Sequence, residues 1–215
     1  MIEPINPIEY RNFINYLNFI QEKLDRFFEA QSPFIFCSKG CGRCCKNQIF
    51  PYSQIEIQNL IVGASKLDSA TQKTIENNID TVLHNKQKFD KNKKIKKRFF
   101  YDCPFLINNV CSIYEYRGIV CRAFGLMTKY EDDATGVPFC CFDGLNYSNV
   151  INLKTKKLST RKYKKLKTEK TPNIYHVTYK ELTDEALANG FGFKFGEIKP
   201  MIDWFSELKD LLKNQ

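Results

Sequence analysis

Cys37-Ser38-Lys39-Gly40-Cys41-Gly42-Arg43-Cys44-Cys45 places four thiols within nine residues. Free cysteine packs as a small hydrophobe and gains nothing from clustering. Here the thiols are interleaved with small, polar and basic residues, so the loop can bend until several sulfurs converge on one ion. Cys103, Cys111, Cys121 and the adjacent pair Cys140-Cys141 follow. The constellation reads as a metal centre, with the fold expected to be built around it.

Thiolate sets suit zinc and iron–sulfur clusters alike by ligand type. Cys41-x2-Cys44 fits the short zinc knuckle, whereas Cys103-x7-Cys111-x9-Cys121 has the looser spacing of iron–sulfur ligation. The expected cofactor is therefore an iron–sulfur cluster, with 4Fe-4S favoured, or zinc. Neighbouring Cys44 and Cys45 do not easily share one ion, so one is expected to serve a second metal or act as a reserve or redox thiol. Lys39, Arg43, Lys46, Arg117 and Arg122 flank the cysteines and could offset thiolate charge.

Cys37-x3-Cys41-x2-Cys44 also has the radical S-adenosylmethionine spacing. Arg43 stands where that motif has an aromatic residue, the residues up to Cys103 read as helix and lysine-rich loop, and no other motif supports S-adenosylmethionine. His84 and His176 read as surface or satisfied histidines. There is no Walker loop, Rossmann glycine fingerprint or nucleophile elbow. No catalytic residue is identified, and whether the chain is an enzyme stays open.

With 215 residues, 43% hydrophobic and 14% aromatic, the chain can bury a sizeable core without disulfide staples. The opening Met1-Ile2-Glu3-Pro4 has neither the basic nor the apolar region of a secretory signal, and no apolar run is long enough for a membrane span. A cytoplasmic setting with reduced thiols is the expectation.

The net charge of +9 is concentrated in two segments. Residues 86–98 hold eight basic side chains against Asp90, and residues 154–170 hold nine against Glu169. These could hold nucleic acid or an acidic partner, or form solvated faces. A protein substrate is a further expected class of partner.

Apolar periodicity predicts helices over 8–29, 54–63, from 68 or 69 onward with Ile75, Ile79, Val82 and Leu83 inward, over 182–189 closed by Gly190, and over 200–213. Ser53 and Glu56 form a capping-box pattern. Short strands are expected at 147–153 and 174–179, and Asn108-Asn109 reads as a turn. The predicted class is mainly α, with irregular cysteine-rich loops around a metal centre and few short strands. The predicted organisation is a cysteine-cluster domain over 1–145 with an N-terminal helix. Residues 146–215 follow as a basic segment and C-terminal helical extension packed on the same domain.

Four blocks then stand out in order: Cys37-x3-Cys41-x2-Cys44-Cys45, Cys103-Pro104-Phe105-Leu106, Cys111-Ser112-Ile113-Tyr114-Glu115-x-Arg117, and Cys121-Arg122. They resemble the YkgJ-type cysteine-cluster family, described as zinc- or iron-chelating, over roughly residues 35–145. Ile55-Glu56-Ile57 sits where that family has an acidic–apolar helix start. Gly118 departs from it, standing where proline usually follows the arginine. The resemblance implies eight cysteine ligands: Cys37, Cys41, Cys44, Cys45, Cys103, Cys111, Cys121 and one of Cys140 or Cys141, with Cys141 taken as the eighth. The family is similar to the cysteine-rich part of a longer flagellin lysine methylase associated with an iron–sulfur cluster. That similarity is the ground for expecting side-chain modification or redox chemistry.

Overall fold

Asn6 caps the first helix, its Oδ1 accepting from the amides of Ile8 (3.0 Å) and Glu9 (3.3 Å), with Pro7 fixing the first turn. A computed structural model describes the chain except for residues 1, 3, 39, 48, 93–97, 133, 214 and 215. Helix α1 (Pro7–Ala30) buries Phe13, Tyr16, Leu17, Ile20 and Leu24 along one face. It ends at Gln31, and a 3-10 turn over Ser32–Phe34 carries Pro33 in its first positions.

Strand β1 (Pro51–Ser53) feeds α2 (Gln54–Ser65), which is buried on nearly every side. Gly63 does not close this helix but lies inside it. A β-carbon there would stand 2.6 Å from the Tyr116 side chain, so the glycine admits that ring. Asp68 caps α3 (Ser69–Lys91), whose stripe is Ile75, Ile79 and Val82, as the periodicity predicts. Strands β2 (Leu106–Ile107) and β3 (Val110–Cys111) form a hairpin. Its turn residues, Asn108 and Asn109, have φ of +50° and +61°, the left-handed pair a two-residue turn requires.

The short helix α4 (Ile119–Ala123) carries Cys121. Then come β4 (Thr128–Lys129) paired with β5 (Thr135–Gly136), and β6 (Ile151–Asn152) paired with β7 (Lys157–Leu158). Helices α5 (Thr160–Lys165), α6 (Tyr179–Leu182) and α7 (Glu185–Phe191), strand β8 (Ile198–Pro200) and α8 (Phe205–Lys213) complete the chain. The class is mainly α with short strands.

Several sequence boundaries change. The strand expected at 147–153 narrows to Ile151–Asn152, because 147–150 is a turn. The strand expected at 174–179 reduces to a single bridge between Tyr175 and Thr128, because Thr178 and Glu181 form a capping box that starts α6. The predicted 182–189 helix begins later, where Asp184 caps α7, and closes at Gly192 (φ +80°) instead of Gly190. The final helix is preceded by a 3-10 turn over Met201–Trp204, with Pro200 in β8.

Antiparallel pairing of β1 with β8 brings the C-terminal stretch back into the centre. Trp204 Nε1 donates to the Tyr52 carbonyl (3.0 Å), and α8 packs on α2 and α3. Three apolar clusters result. One joins α2, α3 and α8; a second joins α1 to α4, α6 and α7; the third holds Phe34, Met127, Cys141, Tyr147, Val150 and Ile151. Cys103, Cys111 and Cys121 pack against the first cluster. Among the described residues no helix is long and apolar enough to cross a membrane.

Candidate metal centre

Backbone contacts pull the separate cysteine segments together. The Cys103 amide donates to the Cys45 carbonyl (2.8 Å), and the Asn47 amide to Asp102 Oδ1 (3.0 Å). Gly42 (φ +55°) lies against the β2–β3 turn, where a β-carbon would meet the Asn109 carbonyl oxygen at 3.1 Å. The first cysteine loop thus rests on the hairpin bearing Cys111.

Cys44, Cys45, Cys103 and Cys121 line one enclosed cavity with Phe50, Tyr52, Tyr101 and Met201. Cys44 and Cys45 Sγ are 3.8 Å apart. Burial pushes the Cys121 thiol up to about 12 and Cys103 well above its ordinary value, with neighbouring thiols adding to both. Cys45 is raised strongly by sharing a proton with Cys44, and Cys44 is lowered to about 7 by the same contact. The Arg117 guanidinium favours the thiolate at Cys44 and Cys111, although burial leaves Cys111 raised.

Cys37, Cys41 and Cys140 lie towards the rim, within reach of one another's charge. Cys37 is exposed, Cys41 half-buried and Cys140 buried. Asn146, fully buried, donates from Nδ2 to Cys37 Sγ (3.1 Å) and the Gly125 carbonyl (3.0 Å), while its Oδ1 accepts from the Phe36 amide (2.8 Å). The Asn146 backbone N–H also donates to the Cys140 thiol, which burial raises to about 12. Arg43 Nε meets Asp143 Oδ2 at 2.5 Å and joins the first cysteine loop to the 139–143 turn. Cys141, next in chain to Cys140, points instead into the third apolar cluster, with Lys162 nearby.

The other predicted residues divide. Lys39 lies outside the described residues. Arg122 is 8% exposed and donates to the Arg117 and Glu115 carbonyls (3.1 and 2.6 Å) and to Gln21 Oε1 (2.8 Å). It clamps the segment between Cys111 and Cys121. His84 is exposed, and His176 pairs with Glu181 at 2.8 Å. Among the described residues no three His, Cys, Asp or Glu side chains stand at the mutual distances of an assembled metal site. The donor chemistry nevertheless fits a thiophilic ion: all nine cysteines are free, and four share one cavity.

Tyr52, Asn146 and Glu56 position the thiols. Tyr52 Oη lies 3.1 Å from Cys121 Sγ. The same ring explains Gly118. A β-carbon there would stand 2.4 Å from Tyr52 Cε1, so the residue that departs from the family pattern makes room for the tyrosine. Its φ of −66° suits proline, but the space does not. Tyr52→Phe is expected to keep the fold and lower metal affinity by about 10–100-fold, as loss of outer hydrogen bonds to ligands does. Competition with a chelator checks this.

Residues 36–141 match the family model CxxCxxCC, described as "Putative zinc- or iron-chelating domain". This stretch is a CxxCxxCC domain. No curated protein and no solved structure matches the chain. The CxxCxxCC segment contains all nine cysteines and ends at Cys141, while β8 and α8, which close the thiol cavity through Met201, lie beyond it.

Of the two basic segments, residues 93–97 lie outside the described residues. In the second, Lys162 Nζ donates to the Ser148 and Ile151 carbonyls, and Lys170 Nζ to the Glu29 carbonyl and Ser32 Oγ. Lys154, Lys156 and Lys157 stand exposed on the β6–β7 hairpin, with Lys156 over the exposed Phe142 ring.

Proposed function

We propose that the chain is a thiolate metal-binding protein whose enclosed cavity holds a single zinc ion through Cys44, Cys45, Cys103 and Cys121, with Cys111 beside them. The observation that carries the zinc reading is the cavity itself. Its volume is about 10 Å³, and roughly 10–15 Å³ accommodates one water-sized atom. That favours one ion over a cubane of four irons and four sulfides. The Cys44–Cys45 separation of 3.8 Å points the same way, because a tetrahedron with Zn–S of about 2.3 Å has an edge of about 3.8 Å. The adjacent cysteines, which the sequence suggests cannot easily share an ion, are spaced here to do so.

Cys140 replaces Cys141 as the eighth thiol of the centre in this proposal, since Cys140 faces Cys37 and Cys41 while Cys141 packs among apolar side chains. Bound zinc would draw the surrounding loops into one structure and neutralise their thiolates; Arg117 offsets part of the remaining charge.

The test is to purify the protein without oxygen and measure zinc, iron and acid-labile sulfide per chain. Zinc with neither sulfide nor a visible band near 400 nm is expected. About four irons with four sulfides would replace zinc by a cluster, and a chain free of both metals would overturn thiolate chelation.

A second reading rests on the exposed Lys154, Lys156 and Lys157 beside Phe142. It is a zinc-stabilised module that binds a polyanion, with affinity falling steeply as salt rises.

A further inference from the structure

The thiols divide into two unequal groups. Four share the enclosed cavity, whereas Cys37, Cys41 and Cys140 lie outside its lining. The rim group comes from two chain segments fixed to one another at two points. Asn146 hydrogen-bonds to both the Cys37 and Cys140 thiols, and the Arg43–Asp143 pair joins the loop after Cys41 to the turn after Cys140. The groups also differ in access, because Cys37 is exposed. Three thiolates leave one position of a tetrahedral ion for an outside ligand, the arrangement of open zinc sites, whereas four thiolates make a closed structural one.

We infer that Cys37, Cys41 and Cys140 form a second zinc site, open at its fourth position and exchangeable, beside the closed site in the cavity. This rests on the thiolate reading above. Zinc displaces protons from the three thiols, and water or an external thiol occupies the fourth place; no electrons are transferred. Asn146 is the positioning residue, keeping Cys37 and Cys140 on the same side of the rim. Cys44, within reach of the Cys37 charge, lies where the two groups approach.

The experiment uses the full chain loaded with zinc and challenged with 4-(2-pyridylazo)resorcinol, following zinc release over time and counting zinc at the start. Wild type is expected to hold two zincs per chain, one released at least tenfold faster than the other. Cys140→Ser and, as a milder exposed-side variant, Cys41→Ser are expected to hold one zinc, losing the fast phase and keeping the slow one. Cys141→Ser is expected to keep both.

With cobalt in place of zinc, added imidazole is expected to change the visible spectrum of wild type but not of Cys140→Ser. Two zincs leaving in one phase, or Cys140→Ser and Cys41→Ser both emptying the cavity site, would merge the groups into one centre and overturn the inference. One zinc per chain that Cys140→Ser leaves unchanged would overturn it while the cavity site stands. A chain holding no metal would overturn the thiolate reading itself.

Discussion

Glu56→Ala is expected to destabilise the chain by about 2–6 kcal/mol, at about 1–3 for each of two backbone amides left buried without a partner. Glu56 is 1% exposed. Its Oε2 accepts from the Ser53 amide (3.0 Å), Ser53 Oγ (2.7 Å) and Tyr179 Oη (2.6 Å), and its Oε1 from the Ile119 amide (2.8 Å). One carboxylate therefore joins the starts of α2, α4 and α6. The hydroxyls of Ser53 and Tyr179 can turn to other partners; the two amides cannot. Native domains have about 5–15 kcal/mol in all, so this one change takes a large share. The loss should extend to the metal, because Ile119 begins the helix that carries Cys121. Urea unfolding of wild type and variant measures it.

Glu56→Gln separates charge from shape. Burial raises the Glu56 carboxyl above its ordinary 4.5, outweighing the donors that lower it. The folded state therefore keeps this proton to higher pH than the unfolded state. The contribution of Glu56 is full below the unfolded value and declines as pH rises through the folded one. Glu56→Gln should remove that decline, giving a flatter stability curve above pH 4.5, at a lower maximum because the amide nitrogen cannot accept from the Ser53 or Ile119 amide.

Cys121→Ser is expected to empty the enclosed cavity of metal while leaving α4 in place. The Cys121 amide bonds to the Gly118 carbonyl (3.1 Å) whichever side chain it carries, so the change removes a ligand and not the turn. A serine hydroxyl is a poor ligand where thiolates select the ion. Wild-type protein should gain about 4 kcal/mol when free zinc is a thousand times its dissociation constant, and the variant none from this site. Thermal melts with and without zinc, together with zinc counted per chain, read both effects. Cys141→Ser serves as control, because that thiol packs in the apolar cluster around Tyr147.

The long helices were legible because their information is local. The stripes of α1 and α3 follow the helical period, and the Ser53–Glu56 pair announces α2. The other two partners of Glu56, Ile119 and Tyr179, lie 63 and 123 residues away, and no local pattern encodes them. The choice between Cys140 and Cys141 is similar: adjacent residues of one 3-10 turn face opposite environments, and only the packed fold says which faces the thiols. Gly192 was passed over for Gly190 because Asp184, two residues beyond the expected start, caps the helix and shifts its end. Asn146 carries no sequence signal of its role, since a buried asparagine is meaningful only once Cys37, Gly125 and Phe36 surround it. The clustering of cysteines, by contrast, needs no tertiary information, and the CxxCxxCC match falls on the same stretch.

X-ray absorption at the zinc edge of the purified full chain tests the central claim most directly, because it reports which atoms hold the metal. The account predicts a first shell dominated by sulfur at about 2.3 Å, with at most one lighter atom on the second, open ion. It also predicts that Cys121→Ser removes most of that sulfur signal. A first shell of nitrogen and oxygen at about 2.0–2.2 Å, or a sulfur shell unchanged in Cys121→Ser, would contradict it.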